Sequence, residues 1–385
     1  MNRAFFLALV LIGLRVGSLA AQESEPPGFW ELPGTEFWMK FGGYVKADVI
    51  YDVDGTRDPD QFLMSTIPVE GDPDYRAGGY LHFMAKETRF NFDIRRSAQD
   101  HFPLRGFLEG DFFSEGNRFR LRHAYVEAGE FTVGQTWTTL STLSVLPFFI
   151  DFAAGDALFG GRSAQVRWTR QVNDGWKLAV GLEEVVFKGI DNPEDQPGAA
   201  RIRLPLLAVR ADYTWDTGTL IVGTSAAELR WSAGSGGPNA SALQLAGLVA
   251  VQQTLPTGTT LMAHLSGGVG AGENVIAFAG SRANAVLLSD GTLDAMPVLA
   301  FIAGVTQPWT DELSSDLSVA YGWLDAPPSR EPDALMNGGL AHLNLVWRPF
   351  PAFATGIEYM WGGQRVTSEA FGRASRFQAM TAFYF

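Results

Sequence analysis

The segment Trp38-Met-Lys-Phe-Gly-Gly-Tyr-Val-Lys-Ala-Asp-Val-Ile-Tyr-Asp52 alternates in polarity along most of its length. Successive side chains of a β-strand point to opposite faces, so Lys40, Lys46 and Asp48 share one face, opposite an apolar row. The same alternation recurs to the end of the chain. The pattern therefore predicts a protein built of strands, each with one apolar and one largely polar face.

About sixteen such segments can be marked, at roughly 38–51, 88–96, 103–113, 118–128, 130–137, 162–170, 175–185, 206–214, 219–229, 241–254, 259–268, 298–306, 313–323, 338–348, 353–361 and 376–385. Links after even-numbered strands are short, whereas most links after odd-numbered strands are long: 52–87, 138–161, 186–205, 269–297, 324–337 and 362–375. A secreted β-sandwich or propeller, the alternative, lacks this asymmetry between its two ends. The predicted fold is all-β: a transmembrane antiparallel β-barrel of about 16 strands, with short periplasmic turns and long external loops.

The first residues have the features of an export signal. Arg3 precedes an apolar run, and small residues at Ser18 and Ala20 suit cleavage after Ala20 or Ala21. A membrane anchor is the alternative, but a spanning helix needs about 20 apolar residues and Arg15 interrupts this run. We therefore predict a signal peptide at 1–21, a short periplasmic segment at 22–37 and the barrel at 38–385. The predicted location is the bacterial outer membrane, in contact with its lipid and lipopolysaccharide.

The composition excludes several classes of function. The chain has no cysteine, which excludes thiolate chemistry, and its net charge of −13 argues against nucleic-acid binding. The five histidines form no close pair, so we predict neither a metal site nor a cofactor. No nucleophile elbow or phosphate-binding loop is present, and we predict that the protein is not an enzyme. His264 and Ser266 share one strand face, the sole feature in favour of a lipid-modifying barrel enzyme.

Several segments in the first half of the chain match a known family. They are Pro33–Thr35, Lys40–Asp48, Glu109–Phe113, Phe119–Tyr125, Val133–Trp137 and Gln165–Arg167. In these segments the sequence resembles the DcaP-like outer-membrane porins, which are trimeric sixteen-stranded channels for dicarboxylic and other small anionic solutes. The resemblance implies a homotrimer and small anionic solutes as partners.

If the apolar strand faces meet lipid, the polar faces line a water-filled lumen. The predicted pore-lining residues are Lys40, Lys46, Arg89, Arg95, Arg105, Glu109, Asp111, Arg120, Arg122 and Arg167. A guanidinium group can bind a carboxylate through two parallel hydrogen bonds, which suits a dicarboxylate pore. The alternative for Arg120 and Arg122 is a structural pairing with Glu109 and Asp111. His123 is expected on the opposite face of the strand.

The link 138–161 is unusually apolar for an exposed loop. Packing against the inner wall would explain this content, so we expect the loop to fold inward and form a constriction. Asp151 and Asp156 are then expected to face the basic strands across the lumen. The alternative is an external or intersubunit loop.

These features together predict an outer-membrane porin for passive diffusion of small hydrophilic solutes, favouring anions such as dicarboxylates. A phosphate-selective porin is the first alternative. An outer-membrane lipid-modifying enzyme and a receptor barrel are the remaining ones.

Overall fold

The computed structural model describes residues 28–96, 103–153, 155–185 and 189–385, so the predicted signal peptide at 1–21 lies outside the described residues. Within the described residues, sixteen long antiparallel strands form one barrel, as the alternation of the sequence predicts. They are β1 (Phe37–Asp54), β2 (Arg89–Arg96), β3 (Leu104–Asp111), β4 (Arg120–Ala128), β5 (Phe131–Trp137), β6 (Arg162–Gln171), β7 (Trp176–Glu183), β8 (Leu206–Trp215), β9 (Gly218–Ser232), β10 (Asn239–Thr254), β11 (Thr260–Val269), β12 (Pro297–Pro308), β13 (Leu313–Leu324), β14 (Leu335–Phe350), β15 (Phe353–Val366) and β16 (Phe371–Tyr384).

The barrel closes between its first and last strands. Strand β1 pairs with β16 from Tyr44 to Asp54 and with β2 from Phe37 to Tyr44. Closure leaves neither β1 nor β16 as an open edge, and a closed sheet is the condition for a β-structure to cross a bilayer. Short strands extend the wall: Tyr80–Met84 pairs with the upper part of β1, and Trp30–Glu31 pairs with its beginning.

The two faces of the wall differ as the alternation predicts. On the outer face, Val45 and Val49 of β1 and Leu245 and Val249 of β10 are 39–50% exposed. On the inner face, residues of the opposite parity are buried, among them Asp48. Contact between such an apolar band and lipid chains is favourable, whereas exposing the band to water costs free energy.

Loop lengths differ between the two ends of the barrel. The turns after even-numbered strands are short, as at 129–130, 216–217 and 351–352. Two of the predicted boundaries are wrong at the other end, because β15 and β16 extend further than expected. They meet in the tight turn 367–370, whereas a long link was expected at 362–375. The paired residues Arg365 and Phe371 continue the ladder through a segment whose glycines obscure the alternation.

The remaining local structure lies in the loops. Short strands occur at Ile190–Asp191, Ala199–Ala200, Ala285–Leu287 and Leu293–Ala295, and 3-10 turns at Met64–Thr66, Glu115–Asn117, Leu143–Val145, Gly272–Asn274 and Ile276–Phe278. No helix in the described part of the chain is long and apolar enough to cross a bilayer.

Candidate functional site: the lumen

The loop between β5 and β6, residues 138–161, lies inside the barrel. Its Leu140, Val145 and Leu158 belong to one buried cluster with Ile221 of β9 and Leu248 of β10. These wall residues face inward, where the simple alternation calls for polar groups. The loop covers this apolar sector of the wall, to which strands β8 to β16 contribute buried side chains. The ion pairs and unpaired arginines lie mainly on β2 to β6, which we call the charged sector.

Polar side chains of the wall hold the backbone of this loop at fixed points. Glu358 accepts hydrogen bonds from the backbone N–H groups of Ile150 (2.9 Å) and Asp151 (3.1 Å). Lys46 donates to the carbonyl oxygen of Ile150 at 2.7 Å. The side-chain amide nitrogen of Gln378 lies 3.5 Å from the same oxygen, at the limit of hydrogen-bond distance. Because buried backbone groups need partners, these side chains determine where the loop lies.

Further anchors follow the loop around the wall. Asp316 accepts from the Phe148 N–H at 3.2 Å, while Asn344 donates to the Phe148 carbonyl at 2.8 Å. At the start of the loop, Glu183 accepts from the Thr139 N–H, and Arg210 donates to the Thr139 carbonyl at 3.2 Å. Carboxylates therefore bind the N–H groups of the loop, and cationic or amide donors bind its carbonyls.

The expected positions of Asp151 and Asp156 are wrong. Asp151 is 2% exposed and Asp156 is fully buried, so neither carboxylate faces the basic strands across water. Asp151 accepts from the Phe62 N–H at 3.1 Å, and Asp156 accepts from the Met64 N–H at 2.7 Å. Both residues join the inward loop to the loop that follows β1. The backbone N–H groups of that second loop bind the two carboxylates. The alternation of the strands does not predict where this loop lies.

Asp156 gives the loop contact a pH dependence. Burial raises the pKa of its carboxyl group to about 7, because the ionised form has lost its water and one oxygen has no hydrogen-bond partner within the described residues. The folded state therefore keeps this proton up to about pH 7, while the unfolded chain releases it near pH 4. Stability from this group is present at acid pH and is lost as the pH rises through this interval, by about 4 kcal/mol in all.

We expect Asp156→Asn to unfold at a higher temperature than wild type at pH 8 and at the same temperature at pH 4. Asparagine keeps the acceptor for Met64 and tolerates the positive φ of 62° at this position. Thermal unfolding in detergent at the two pH values measures the difference. Asp195→Asn is the control, an exposed aspartate with φ 51°. An equal gain at both pH values would contradict the buried charge as the cause.

The charged sector centres on β3 and β4. Arg120 binds Asp111 through two parallel hydrogen bonds of 2.9 Å. Arg122 donates to Glu109 at 3.0 Å and to Asp111 at 2.8 Å. The alternative expected for Arg120 and Arg122, a structural pairing with Glu109 and Asp111, is therefore present. Arg122 is 4% exposed and Asp111 is fully buried, so these two expected pore-lining residues stabilise the wall and have little contact with water.

A β-bulge changes the face of His123. The register shifts between Glu109 and Gly110, so that Glu109 pairs with His123 while Gly110 pairs with Leu121. The extra residue turns Arg122 and His123 to the same side, and His123 hydrogen-bonds Thr136 at 3.0 Å. The expectation that His123 faces away from the arginines is wrong for this reason.

Two further arginines enlarge the positive cluster. Arg89 lies 3.6 Å from Glu109, and its Nε atom has no hydrogen-bond partner within the described residues. Arg162, which sequence analysis missed, interacts electrostatically with Arg120, Arg122 and Arg89. Among the described residues no carboxylate lies within ion-pair distance of it. Three guanidinium groups therefore share the carboxylates of Glu109 and Asp111, and Arg162 lies beside them as a fourth cation.

The inward loop contributes an aromatic ring to this cluster. Phe152 stacks on Phe113 with ring centroids 3.9 Å apart. The guanidinium groups of Arg120 and Arg122 lie 5.5 and 5.7 Å from the centre of the Phe152 ring. The loop thus contacts the arginine cluster through Phe152.

The other expected pore-lining residues occupy different depths. Lys46 faces inward but is 4% exposed, because it holds Ile150 and pairs with Glu87, so it does not line water. Lys40 is exposed near the periplasmic end. Arg95 and Arg105 both bind Asp93, and Arg105 also binds Glu127. Arg167 donates to the Trp137 carbonyl at 3.2 Å and has no carboxylate within ion-pair distance in the described residues.

His264 and Ser266 lie on the inner face of β11. Both are 2% exposed, in the sector that the loop covers. A lipid-modifying site on the outer surface of the barrel needs these groups on the other face.

Comparison with known proteins gives the following matches. The model of the DcaP outer membrane protein family matches residues 33–227. The outer membrane channel DcaP of Acinetobacter baumannii aligns with a TM-score of 0.77 at 19% identity, over 91% of this chain and 97% of that one. An anion-selective porin from Comamonas acidovorans aligns at 0.60 and 10% identity, over 91% and 100% of the chains. OmpT of Vibrio cholerae, in a trimer form, aligns at 0.56 and 14%, also over 91% and 100%. A search of curated proteins found no match.

Proposed function

Because the chain belongs to the DcaP outer membrane protein family and forms a porin-like outer membrane channel, we propose that it admits small hydrophilic solutes by passive diffusion and favours anions, dicarboxylates among them. The observation that carries this proposal is the surplus of guanidinium groups in the lumen. Arg89, Arg120, Arg122 and Arg162 gather around Glu109 and Asp111 in a protein whose net charge is −13.

The surplus acts on solutes through the field in the lumen. A positive charge several ångströms from a diffusing ion changes its energy by about 1 kcal/mol at an intermediate dielectric constant, which is about fivefold in concentration. Anions are enriched and cations depleted by the same factor. The similar fold of the anion-selective porin from Comamonas acidovorans supports such a role for a barrel of this kind.

A preference for two carboxylates is supported by the geometry around Trp137. The Arg162 guanidinium lies over the Trp137 ring at 4.8 Å, and Arg167 donates to the carbonyl of the same residue at 3.2 Å. Both guanidinium groups contact Trp137, and in the described structure neither has a carboxylate within ion-pair distance. A solute with carboxylates at both ends can contact both guanidinium groups, whereas a monocarboxylate contacts one.

We also infer a homotrimer, by similarity to the barrel of Vibrio cholerae OmpT that was solved in a trimer form. A trimer of separate pores closes in three equal current steps at high voltage.

The test is the reversal potential of the refolded mature chain in a planar bilayer under a salt gradient, with succinate, acetate or inorganic phosphate then added. We expect anion preference, three equal closing steps, and stronger block by succinate than by acetate. Cation preference would overturn the proposal. Stronger block by inorganic phosphate than by succinate would replace the dicarboxylate with phosphate as the favoured anion.

A further inference from the structure

Three arginines lie together on the outer surface of the barrel, at the end that carries the long loops. Arg230 stands two residues before the end of β9, on its outward face. Arg203 lies in the segment that enters β8 and is 61% exposed. Arg201 is also exposed, and its backbone N–H donates to the Arg230 carbonyl at 2.9 Å. We call these residues, 201, 203 and 230, the arginine rim.

In the part of the chain that the structure describes, one carboxylate, that of Glu228, lies within ion-pair distance of the arginine rim. Both oxygens of Glu228 accept hydrogen bonds from Arg203, each at 2.9 Å. The Arg230 guanidinium remains 3.6 Å from Glu228, beyond hydrogen-bond distance. The side chain of Arg201 has no polar partner among the residues that the structure describes. The rim is therefore net positive, with the donors of two guanidinium groups open to an anion from outside the barrel.

Exposed leucines continue the surface from the rim toward the middle of the membrane. In the register of β9 and β10, Arg230 pairs with Ser241, Glu228 with Leu243 and Ala226 with Leu245. Leu243 is 65% exposed and Leu245 is 50% exposed on the same outer face. Each step of two residues moves about 7 Å along the strand, so the apolar surface starts one step below the arginines.

We propose that the arginine rim binds a phosphorylated lipid of the outer leaflet, with its phosphate on Arg201 and Arg230 and its acyl chains along Leu243 and Leu245. The cationic groups and the apolar surface meet in the order in which a lipid presents its headgroup and its chains. A guanidinium group binds phosphate through two N–H donors. The proposal does not depend on which solutes pass through the lumen.

Charge complementarity decides between a lipid and other occupants. A second copy of the chain, whose net charge is −13, would bring carboxylates, but it would also have to cover the flanking leucines with a matching surface. Free phosphate satisfies the arginines and makes no use of the leucines. A phosphorylated lipid uses both parts of the surface, and it is present wherever the barrel is embedded.

The experiment compares lipid binding by the refolded mature chain and two variants, by native mass spectrometry from zwitterionic detergent. The lipids are bisphosphorylated lipid A and its dephosphorylated form. We expect wild type to retain bisphosphorylated lipid A at least tenfold better than the dephosphorylated form, and Arg201→Gln/Arg230→Gln, which leaves the pair of Arg203 and Glu228 in place, to lose this preference. Arg170→Gln is the matched control, because Arg170, on β6 near the short-turn end, is 60% exposed and pairs with one carboxylate, that of Glu130.

Equal retention of the two lipids by wild type would overturn the proposal, as would an equal loss in the Arg170→Gln control. Displacement of lipid A by inorganic phosphate at the same concentration would also overturn it, in favour of a free anion. Heat-modifiable migration of each variant on a gel shows that the barrel has folded. An unchanged reversal potential shows that the lumen is intact, which separates this test from that of the channel function.

Discussion

Replacing Arg162 by glutamine is expected to lower the ratio of anion to cation permeability by about 25-fold, because a fivefold enrichment of anions and a fivefold depletion of cations are both lost. This is the largest effect expected of any single lumen substitution that leaves the wall intact. Arg120 and Arg122 are bound to Glu109 and Asp111, so removing either one also leaves a carboxylate unpaired. Arg162 has no such partner in the described residues. Its loss removes positive charge from the cluster and breaks no ion pair.

The measurement is the reversal potential under a salt gradient, before and after the substitution. Arg162→Lys is the matched control, because it keeps the charge and removes the planar guanidinium group. We expect the lysine variant to retain the anion preference and to lose part of the succinate block, since an ammonium group binds a carboxylate as a point charge. A glutamine variant with an unchanged reversal potential would show that other cations of the lumen carry the selectivity.

The barrel could be predicted because the alternation that defines each strand can be read from neighbouring residues of the sequence. Alternation along each strand decides which residues face lipid, and this needs no knowledge of the neighbouring strands. The inward faces of Arg89, Arg105 and Arg120 follow in the same way. Only strand ends rich in glycine, such as that of β15 near Gly362 and Gly363, lack enough contrast between the faces to be located.

The roles of individual inward residues depend on contacts between distant parts of the chain. Lys46 and Glu358 alternate correctly with apolar neighbours, yet both are used to hold the loop at Ile150. The bulge at His123 reverses a face because of its pairing with β3, which the sequence of β4 alone does not encode. Arg162 is the first residue of β6 and has the parity of the exposed Ala164 and Val166, so the alternation gives no sign that it lies beside the arginines of the lumen.

The positions of Asp151 and Asp156 also depend on contacts between distant parts of the chain. The apolar content of 138–161 is explained by packing, and the loop does cover the inner wall. The direction of its two carboxylates is determined by a second loop, whose Phe62 and Met64 N–H groups lie nearby. A carboxylate within an apolar loop indicates hydrogen bonds from buried backbone N–H groups, because burying a carboxylate without such donors costs free energy.

Glu358→Ala is expected to release the inward loop and to change the channel more than any other substitution outside the arginine cluster. Glu358 is 1% exposed and accepts from the Ile150 and Asp151 N–H groups and from His342. Hydrogen bonds to a buried charged group contribute roughly 1.5–3 kcal/mol each, so two lost backbone contacts weaken the loop by about 3–6 kcal/mol. We expect a larger conductance, more current noise and a weaker anion preference in single-channel recordings.

The control for this variant is Glu127→Ala, because Glu127 also faces the lumen but binds Arg105 and no loop backbone. Its current should remain as quiet as that of wild type. If Glu358→Ala is equally quiet, the apolar packing of Leu140, Val145 and Leu158 holds the loop without the carboxylate. The noise therefore decides whether polar anchors or apolar contacts keep the inward loop in place. The physical expectation favours the anchors at this point of the loop, since Ile150 and Asp151 would otherwise bury N–H groups without acceptors.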